Sequence, residues 1–166
     1  MSAKSIRTPH RVLAFDPGFE RLGVAVLERE NGREILKHSD CARTSTTLSF
    51  HERLVQIGEV AEQAIKKFKP DAVAIEKIYF EKNAKTAMQI AEVRGILSYI
   101  ATKQGLPVFE YTPLQVKSAV TGNGKSDKRA VGLMVNRLVV LPEKKRLDDE
   151  LDAIAIGITC LVSASF

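Results

Sequence analysis

The chain has 166 residues, 45% of them apolar, which is enough to bury one core and fits a single domain. Twenty-five basic residues against twenty acidic ones give a net charge of +5, which favours a polyanionic partner without identifying nucleic acid. The cysteines, Cys41 and Cys160, do not form a zinc motif, and no apolar stretch is long enough to cross a bilayer. We therefore expect a cytoplasmic protein with no membrane partner.

The first part of the chain predicts an antiparallel meander behind a flexible arm at residues 1–10. Apolar runs at 11–16 and 22–28 predict two strands joined by a turn that contains Pro-Gly. A third strand is predicted at 34–43, after a Glu-Asn-Gly turn. Two hairpins therefore open the fold.

The rest of the chain alternates between helical and strand patterns. Apolar residues recur at spacings of three and four in the helical segments, and compact apolar runs separate them. This alternation is typical of parallel strands in a mixed sheet with helices on its faces, so we predict one α/β domain over residues 11–166. Helices are predicted at 49–69, 83–103, 113–120, 127–139 and 149–163, and strands at 71–76 and 107–111.

Two acidic residues each end an apolar, strand-like run. Asp16 ends the run that begins at Val12, and Glu76 ends the run that begins at Ala72. Open α/β sheets bind ligands at the carboxyl ends of their strands, so both side chains are candidate site residues. The alternatives are a simple turn residue at Asp16 and a carboxylate neutralised by Lys77 or by solvent at Glu76.

Asp149 and Asp152 begin the last helical segment. A spacing of three places both carboxylates on one helix face. The strongly apolar residues that follow them predict a buried helix whose N-terminus is held in a fixed place. The alternative is that acids in a first turn only interact with the helix dipole, and this is the role that we assign to Asp148 and Glu150.

Convergence of these acids would require a counter-charge. Carboxylates that share a site repel one another unless cations lie between them. Oxygen-only ligands suit Mg²⁺ or Mn²⁺ rather than zinc. Two such ions, about 4 Å apart, activate a water and stabilise the leaving oxygen in phosphoryl displacement, so phosphodiester hydrolysis is the predicted reaction.

Six segments of the chain, in order between residues 11 and 160, resemble successive motifs of the RuvC family of bacterial Holliday junction endonucleases. The resemblance implies an RNase H-like fold with a five-stranded sheet and helices on both faces. The segments are Phe15-Asp16-Pro17-Gly18, Ile75-Glu76-Lys77-Ile78-Tyr79-Phe80-Glu81-Lys82-Asn83, Val93-Arg94-Gly95, Pro107-Val108-Phe109-Glu110-Tyr111, Gln115-Val116-Lys117 and Asp149-Glu150-Leu151-Asp152-Ala153-Ile154-Ala155.

The resemblance also implies an activity and partners. It implies a homodimer that introduces paired, Mg²⁺-dependent nicks into opposed strands of four-way junction DNA in recombination and repair. Work alongside a RuvA-RuvB branch-migration assembly is implied as well. In that family the acids that match Asp16, Glu76, Asp149 and Asp152 bind the metal ions.

The same comparison implies DNA contacts. Tyr79 matches an aromatic residue that stacks on a base, with Phe80 and Lys82 in the same loop; the alternative is that these aromatic residues pack inward. Four basic residues either match family lysines near the DNA backbone or extend the same basic face. Each of them is equally consistent with a solvated surface side chain. They are Lys117, Lys128, Lys125 and Arg129.

The sequence is also consistent with other function classes. Residues 21–25 resemble the RuvX (YqgF) nucleases, which are associated with RNA processing. Residues 119–126 satisfy a relaxed phosphate-loop pattern typical of an ATPase, although the preceding segment has a helical spacing where a strand is required. The Asp-Pro-Gly turn is also similar to that of actin-like kinases, which need two copies of the domain. A DNA-binding module without catalysis is the remaining alternative.

Overall fold

The computed structural model describes residues 9–78, 84–139 and 145–164. Each predicted helix and strand is present there, with bounds that differ from the predictions by one or two residues. In chain order the elements are β1 (Arg11–Asp16), β2 (Arg21–Glu30), β3 (Arg33–Arg43), α1 (Phe50–Phe68), β4 (Ala72–Glu76), α2 (Ala84–Lys103), β5 (Val108–Tyr111), α3 (Pro113–Thr121), α4 (Lys128–Leu138) and α5 (Asp148–Ser163).

The strands form one mixed sheet in the order β3-β2-β1-β4-β5. Strand β2 is antiparallel to both β1 and β3, which confirms the meander. Strand β4 is parallel to β1 on one side and to β5 on the other. Because β1 and β4 are central and parallel, their carboxyl ends meet at the same edge of the sheet.

Hydrophobic cores cover both faces of the sheet. Side chains alternate along β1, so Val12 and Ala14 pack under α3, α4 and α5, while Leu13 and Phe15 pack under α1 and α2. All four side chains are fully buried. The predicted arrangement of helices on both faces is therefore confirmed.

Local sequence signals define two helix starts. Ser49 and Glu52 form a reciprocal capping box at α1. Thr112 and Gln115 form a second one at α3, where Pro113 occupies the first turn as predicted. In the described ranges, with their gaps at 79–83 and 140–144, no helix is long and apolar enough to cross a membrane.

Charged groups hold together the end of the sheet where β1 begins. Glu28 is 3% exposed. Its carboxylate accepts from the Arg11 guanidinium and lies 3.1 Å from Nζ of Lys37. Asp71 accepts from the backbone N–H groups of His10 and Arg11 at 3.0 and 2.8 Å. His10 is therefore bonded to the domain, whereas residues 1–8 of the expected arm lie outside the described residues.

Candidate active site

The strand ends bring Asp16 and Glu76 side by side. Strands β1 and β4 are parallel, and Phe15 is in register with Ile75, so the next residue of each strand is an acid. Both acids line one cavity of about 210 Å³, together with Pro17, Lys77, Ile78, Ile90 and Pro113. The placement that the sequence predicts for these two carboxylates is what the fold produces.

A glycine on β2 lets the start of α5 approach the same edge. Gly23 pairs with Asp16 across the sheet. A Cβ atom at Gly23 would lie 2.1 Å from the backbone oxygen of Asp149 and 3.0 Å from Cβ of Asp16. Real Cβ atoms do not come this close to backbone, so a larger residue would force the first turn of α5 away from β1. Gly23 therefore helps to position Asp149 and Asp152.

The four predicted acids interact electrostatically. Burial, followed by the negative charges of Asp152, Glu76 and Asp149, raises the pKa of Asp16 to about 8. Burial and then the charge of Asp152 raise the pKa of Glu76 to about 7, against a lowering effect of nearby lysines. Carboxylates whose pKa values rise in this way need a cation to hold their charged forms.

Asp149 and Asp152 are partly neutralised by cationic side chains. Oδ2 of Asp149 lies 3.5 Å from Nε of Arg21, and Sγ of Cys41 lies 3.9 Å from the same oxygen. Oδ2 of Asp152 lies 2.8 Å from Nζ of Lys128. A divalent cation would compete with Arg21 and Lys128 for these two carboxylates.

The chemistry of these oxygen ligands fits a hard cation, but the carboxylates are too far apart for three of them to bind one ion together. Carboxylate oxygens that repel one another and are partly buried are the ligands that Mg²⁺ or Mn²⁺ prefers. As the side chains stand, no three acidic, histidine or cysteine groups within residues 9–78, 84–139 and 145–164 are gathered closely enough to hold one ion. The structure thus shows one electrostatic cluster, and metal binding stays a prediction.

The predicted basic residues divide into two groups. Lys117 and Lys128 are near the acids, since the positive charge of each lowers the pKa of Glu76. Lys125 and Arg129 are exposed, in the loop before α4 and in its first turn. The predicted DNA contacts Tyr79, Phe80 and Lys82 lie outside the described residues, so their roles stay predictions.

One acid differs from its expected role. Glu150 was expected only to favour the start of α5, yet it is 5% exposed and accepts a 2.9 Å hydrogen bond from Oγ of Ser39. It ties α5 to β3, a contact between residues 111 positions apart that no sequence pattern indicates. Sequence reasoning also missed Arg21 and Gly23, although a glycine inside a strand is a known sign of close backbone approach.

The phosphate-loop alternative does not agree with the fold. Residues 119–121 belong to α3, which ends at Gly122 with a left-handed φ of 75°. The segment therefore follows a helix, whereas a phosphate loop follows a strand. Asn123 and Ser126 continue into a turn that leads to the Asp127 cap of α4.

The mixed sheet, its helix layers and the acids at its edge define the class of RNase H-like nucleases. Residues 12–160 match the family model described as crossover junction endodeoxyribonuclease RuvC, and the chain belongs to this family. It is 40% identical to the crossover junction endodeoxyribonuclease RuvC of Caldicellulosiruptor saccharolyticus, over 93% of this chain and 94% of that protein.

Solved structures agree with this assignment. The chain superposes on Thermus thermophilus RuvC with a TM-score of 0.82 and 32% identity, over 90% of this chain and 92% of that one. For T. thermophilus RuvC in complex with its Holliday junction substrate, the TM-score is 0.86 and the identity 30%, over 94% and 96% of the two chains. Residues 21–25, which resemble RuvX, form the start of β2.

Proposed function

We propose that this protein is a structure-selective endonuclease that resolves four-way DNA junctions by paired, symmetric nicks in opposed strands. The main support for this proposal is a cluster of four acids at one edge of an RNase H-like sheet: Asp16, Glu76, Asp149 and Asp152. Similarity to a RuvC solved with a Holliday junction substrate supports the choice of substrate. The reaction belongs to homologous recombination and DNA repair.

The acids are proposed to be both catalytic and metal-binding. Asp16 and Glu76 supply carboxylate oxygens from adjacent strand ends, and Asp149 and Asp152 supply them from one face of α5. Two Mg²⁺ ions, which Mn²⁺ can replace, would there supply Lewis acidity to water and to the scissile phosphate. The protein's own part is to hold these oxygens in a half-buried place beside cationic side chains.

Lys128 and Lys117 are proposed to orient the DNA backbone. Lys128 contacts Asp152, so a phosphate bound by its ammonium group would lie next to the acids. Lys125 and Arg129 would extend this basic surface, and Tyr79, Phe80 and Lys82 would contact bases or backbone beside it. The positive charges of the lysine and arginine side chains should make DNA binding strongly dependent on salt concentration.

The assembly that we propose has several parts. Residues 11–166 form one nuclease domain, and two copies form a homodimer, which is the arrangement required to nick two opposed strands. The enzyme acts in the bacterial cytoplasm alongside a RuvA-RuvB branch-migration complex. The homodimer and the RuvA-RuvB partner depend on the family resemblance, and direct measurements of mass and of complex formation test them.

The decisive test is incubation with a labelled four-way DNA junction, with Mg²⁺ and with chelator. We expect symmetric nicks that ligase can seal, and no cleavage with chelator or after Asp16→Asn. Linear duplex DNA and a four-way RNA junction serve as competing substrates. Equal activity of the Asp16→Asn protein would refute the site, and cleavage of all substrates alike would refute junction selectivity.

A salt titration tests the basic surface separately. Lys117→Ala should reduce the slope of log affinity against log salt concentration by about 1, because one phosphate contact is lost. Lys66→Ala is the matched control, since Lys66 is an exposed lysine in the last turn of α1. An unchanged slope in the Lys117 variant would remove this residue from the phosphate contacts.

A further inference from the structure

The turn between β1 and β2 contributes Pro17 to the acid cavity and Phe19 and Glu20 to a second cavity. We propose that this second cavity binds one unstacked nucleobase of the cleaved strand, next to the scissile phosphate, and thereby helps to set the sequence at which the junction is nicked. The proposal rests on the proposed nuclease function. The cavity encloses about 350 Å³, within the usual range of ligand sites, and is lined by Phe19, Glu20, Leu48, Phe50, Arg53, Lys85 and Gln89.

The two cavities have no lining residue in common, but neighbouring residues of the chain line them. Pro17 and Ile90 line the acid cavity, while Phe19 and Gln89 line the second one. Pro17 and Phe19 are two residues apart, so their Cα atoms are at most about 7 Å apart. Nucleotides along one DNA strand rise about 3.4 Å each. A base within a nucleotide or two of a phosphate at Asp16 can therefore reach the second cavity.

The walls of this cavity are held in place by contacts within the protein. The rings of Phe19 and Phe50 meet edge to face with centroids 5.9 Å apart. Oγ1 of Thr44 donates to the backbone oxygen of Phe19 at 2.7 Å, and Nε of Arg53 donates to that of Leu48 at 3.3 Å. A site ordered before the substrate arrives loses little conformational freedom on binding.

The chemistry of the lining suits a base with its phosphate. Aromatic rings bind the faces of unstacked bases, as in proteins that hold single strands or flipped nucleotides. The amide of Gln89 can both donate to and accept from a base edge, and Glu20 can accept from an amino group. Because Glu20 repels phosphate, the backbone should pass on the side of Arg53 and Lys85, whose cations attract it.

Nick positions on a junction library test the proposal. A junction with randomised base pairs around the exchange point is cut under single-turnover conditions, and the nick sites are sequenced. We expect Gln89→Ala to weaken the preference at one position beside the nick by about tenfold, the scale of a paired base contact. The readout is the distribution of nicks within one reaction, so a change in overall rate does not affect it. Gln63→Ala is the matched control, because Gln63 lines a separate groove between α1 and β3.

A fluorescence measurement tests the proposal for any variant that cuts too slowly for its nick sites to be sequenced. A junction with 2-aminopurine beside the scissile phosphate is bound, without cleavage, by the Asp16→Asn protein. We expect a change in fluorescence as the base enters the cavity, a smaller change when Phe50→Leu is added, and a full change when Gln63→Ala is added.

Three outcomes would overturn the proposal. They are a wild-type enzyme that cuts the library with no sequence preference beside the nick, an undiminished preference in Gln89→Ala, and a full fluorescence change with Phe50→Leu. Each can occur while the junction is still cut selectively, so it would leave the proposed function intact. Failure of the wild-type protein to cut any junction would instead refute the proposed function.

Discussion

The two ends of strand β1 hold buried carboxylates in opposite ways. Where β1 begins, burial alone would raise the pKa of Glu28, but hydrogen bonds from Arg11 and Lys37 outweigh it and lower that pKa. Where β1 ends, burial and neighbouring carboxylates raise the pKa of Asp16 to about 8. Glu28 is paired with cationic side chains of the protein, whereas the charged neighbours of Asp16 are mainly other acids.

This difference separates a structural acid from a functional one. A buried acid that is paired with cations links elements together, as Glu28 links β1, β2 and β3. A half-buried group of acids with too few cations destabilises the fold and persists where a ligand compensates for it. Burial alone would rank Glu28 above Asp16 as a site residue. The charge of the neighbouring side chains is therefore a better criterion than burial for recognising a functional acid.

The largest expected effect is at Asp16. Asp16→Asn should lower junction cleavage by about 100-fold or more, because it removes a group that acts on transition-state charge. The same change should raise the thermal midpoint of the metal-free protein, since asparagine avoids the cost of burying an acid among other carboxylates. Single-turnover cleavage and thermal unfolding in chelator measure the two effects. A lower thermal midpoint would contradict the view that this cluster is destabilising.

The next effect is at Gly23. Gly23→Ala should reduce cleavage by about 10- to 100-fold, the cost typical of disturbing the support of metal ligands, because Asp149 must move away from Asp16. Thermal stabilisation by Mn²⁺ should fall with it, while junction binding is retained.

Gly157→Ala is the matched control for the contact between α5 and the sheet. A Cβ atom at Gly157 would lie 2.3 Å from Cδ1 of Leu27, the end of a side chain that can move, and away from the acids. It should cost stability and leave Mn²⁺ binding unchanged. Equal loss of Mn²⁺ stabilisation in both variants would show that Gly23 has no special role.

Glu28→Gln tests the other end of the sheet. Loss of one partner of a buried pair costs about 3–5 kcal/mol, and solvent screening at the partners reduces the expectation here to about 2 kcal/mol. Arg11 and Lys37 are 36% and 40% exposed, which justifies this reduction. Urea unfolding measures the loss, and cleavage at 25 °C should not change. A cleavage defect in the folded Glu28→Gln protein would contradict the view that Glu28 has only a structural role.

The last comparison is a pH dependence of opposite sign at the two ends. The raised pKa values of Asp16 and Glu76 mean that the folded protein binds more protons than the unfolded one, so stability falls as pH rises from about 5 to 8. The lowered pKa of Glu28 means that its contribution is present above its unfolded pKa and is lost as pH falls further.

Unfolding free energies of the metal-free protein, measured from acid pH below the unfolded pKa of Glu28 up to about pH 8, give both slopes. Asp16→Asn should flatten the decline towards pH 8, and Glu28→Gln should flatten the loss in acid. Mg²⁺ should oppose the decline towards pH 8 only when Asp16 is present. A decline that is unchanged in Asp16→Asn would assign it to other groups.

Much of this molecule was predictable from local patterns. The apolar runs that end at Asp16 and Glu76, the spacing of Asp149 and Asp152, and the cap at Thr112 determine where elements begin and end, because periodicity and capping act over a few residues. These patterns placed every element to within one or two residues. They also singled out the four acids that the sheet brings together.

Only the tertiary structure decided which distant groups meet. The approach of Gly23 to Asp149, the burial of Glu150 against Ser39 and the cavity between Phe19 and Gln89 each join segments far apart in the chain. No local pattern encodes such contacts, because they depend on the order of the strands and on the direction in which α5 crosses the sheet. The sequence by itself therefore determined the acids and their elements, while packing decided the neighbours that set their charge.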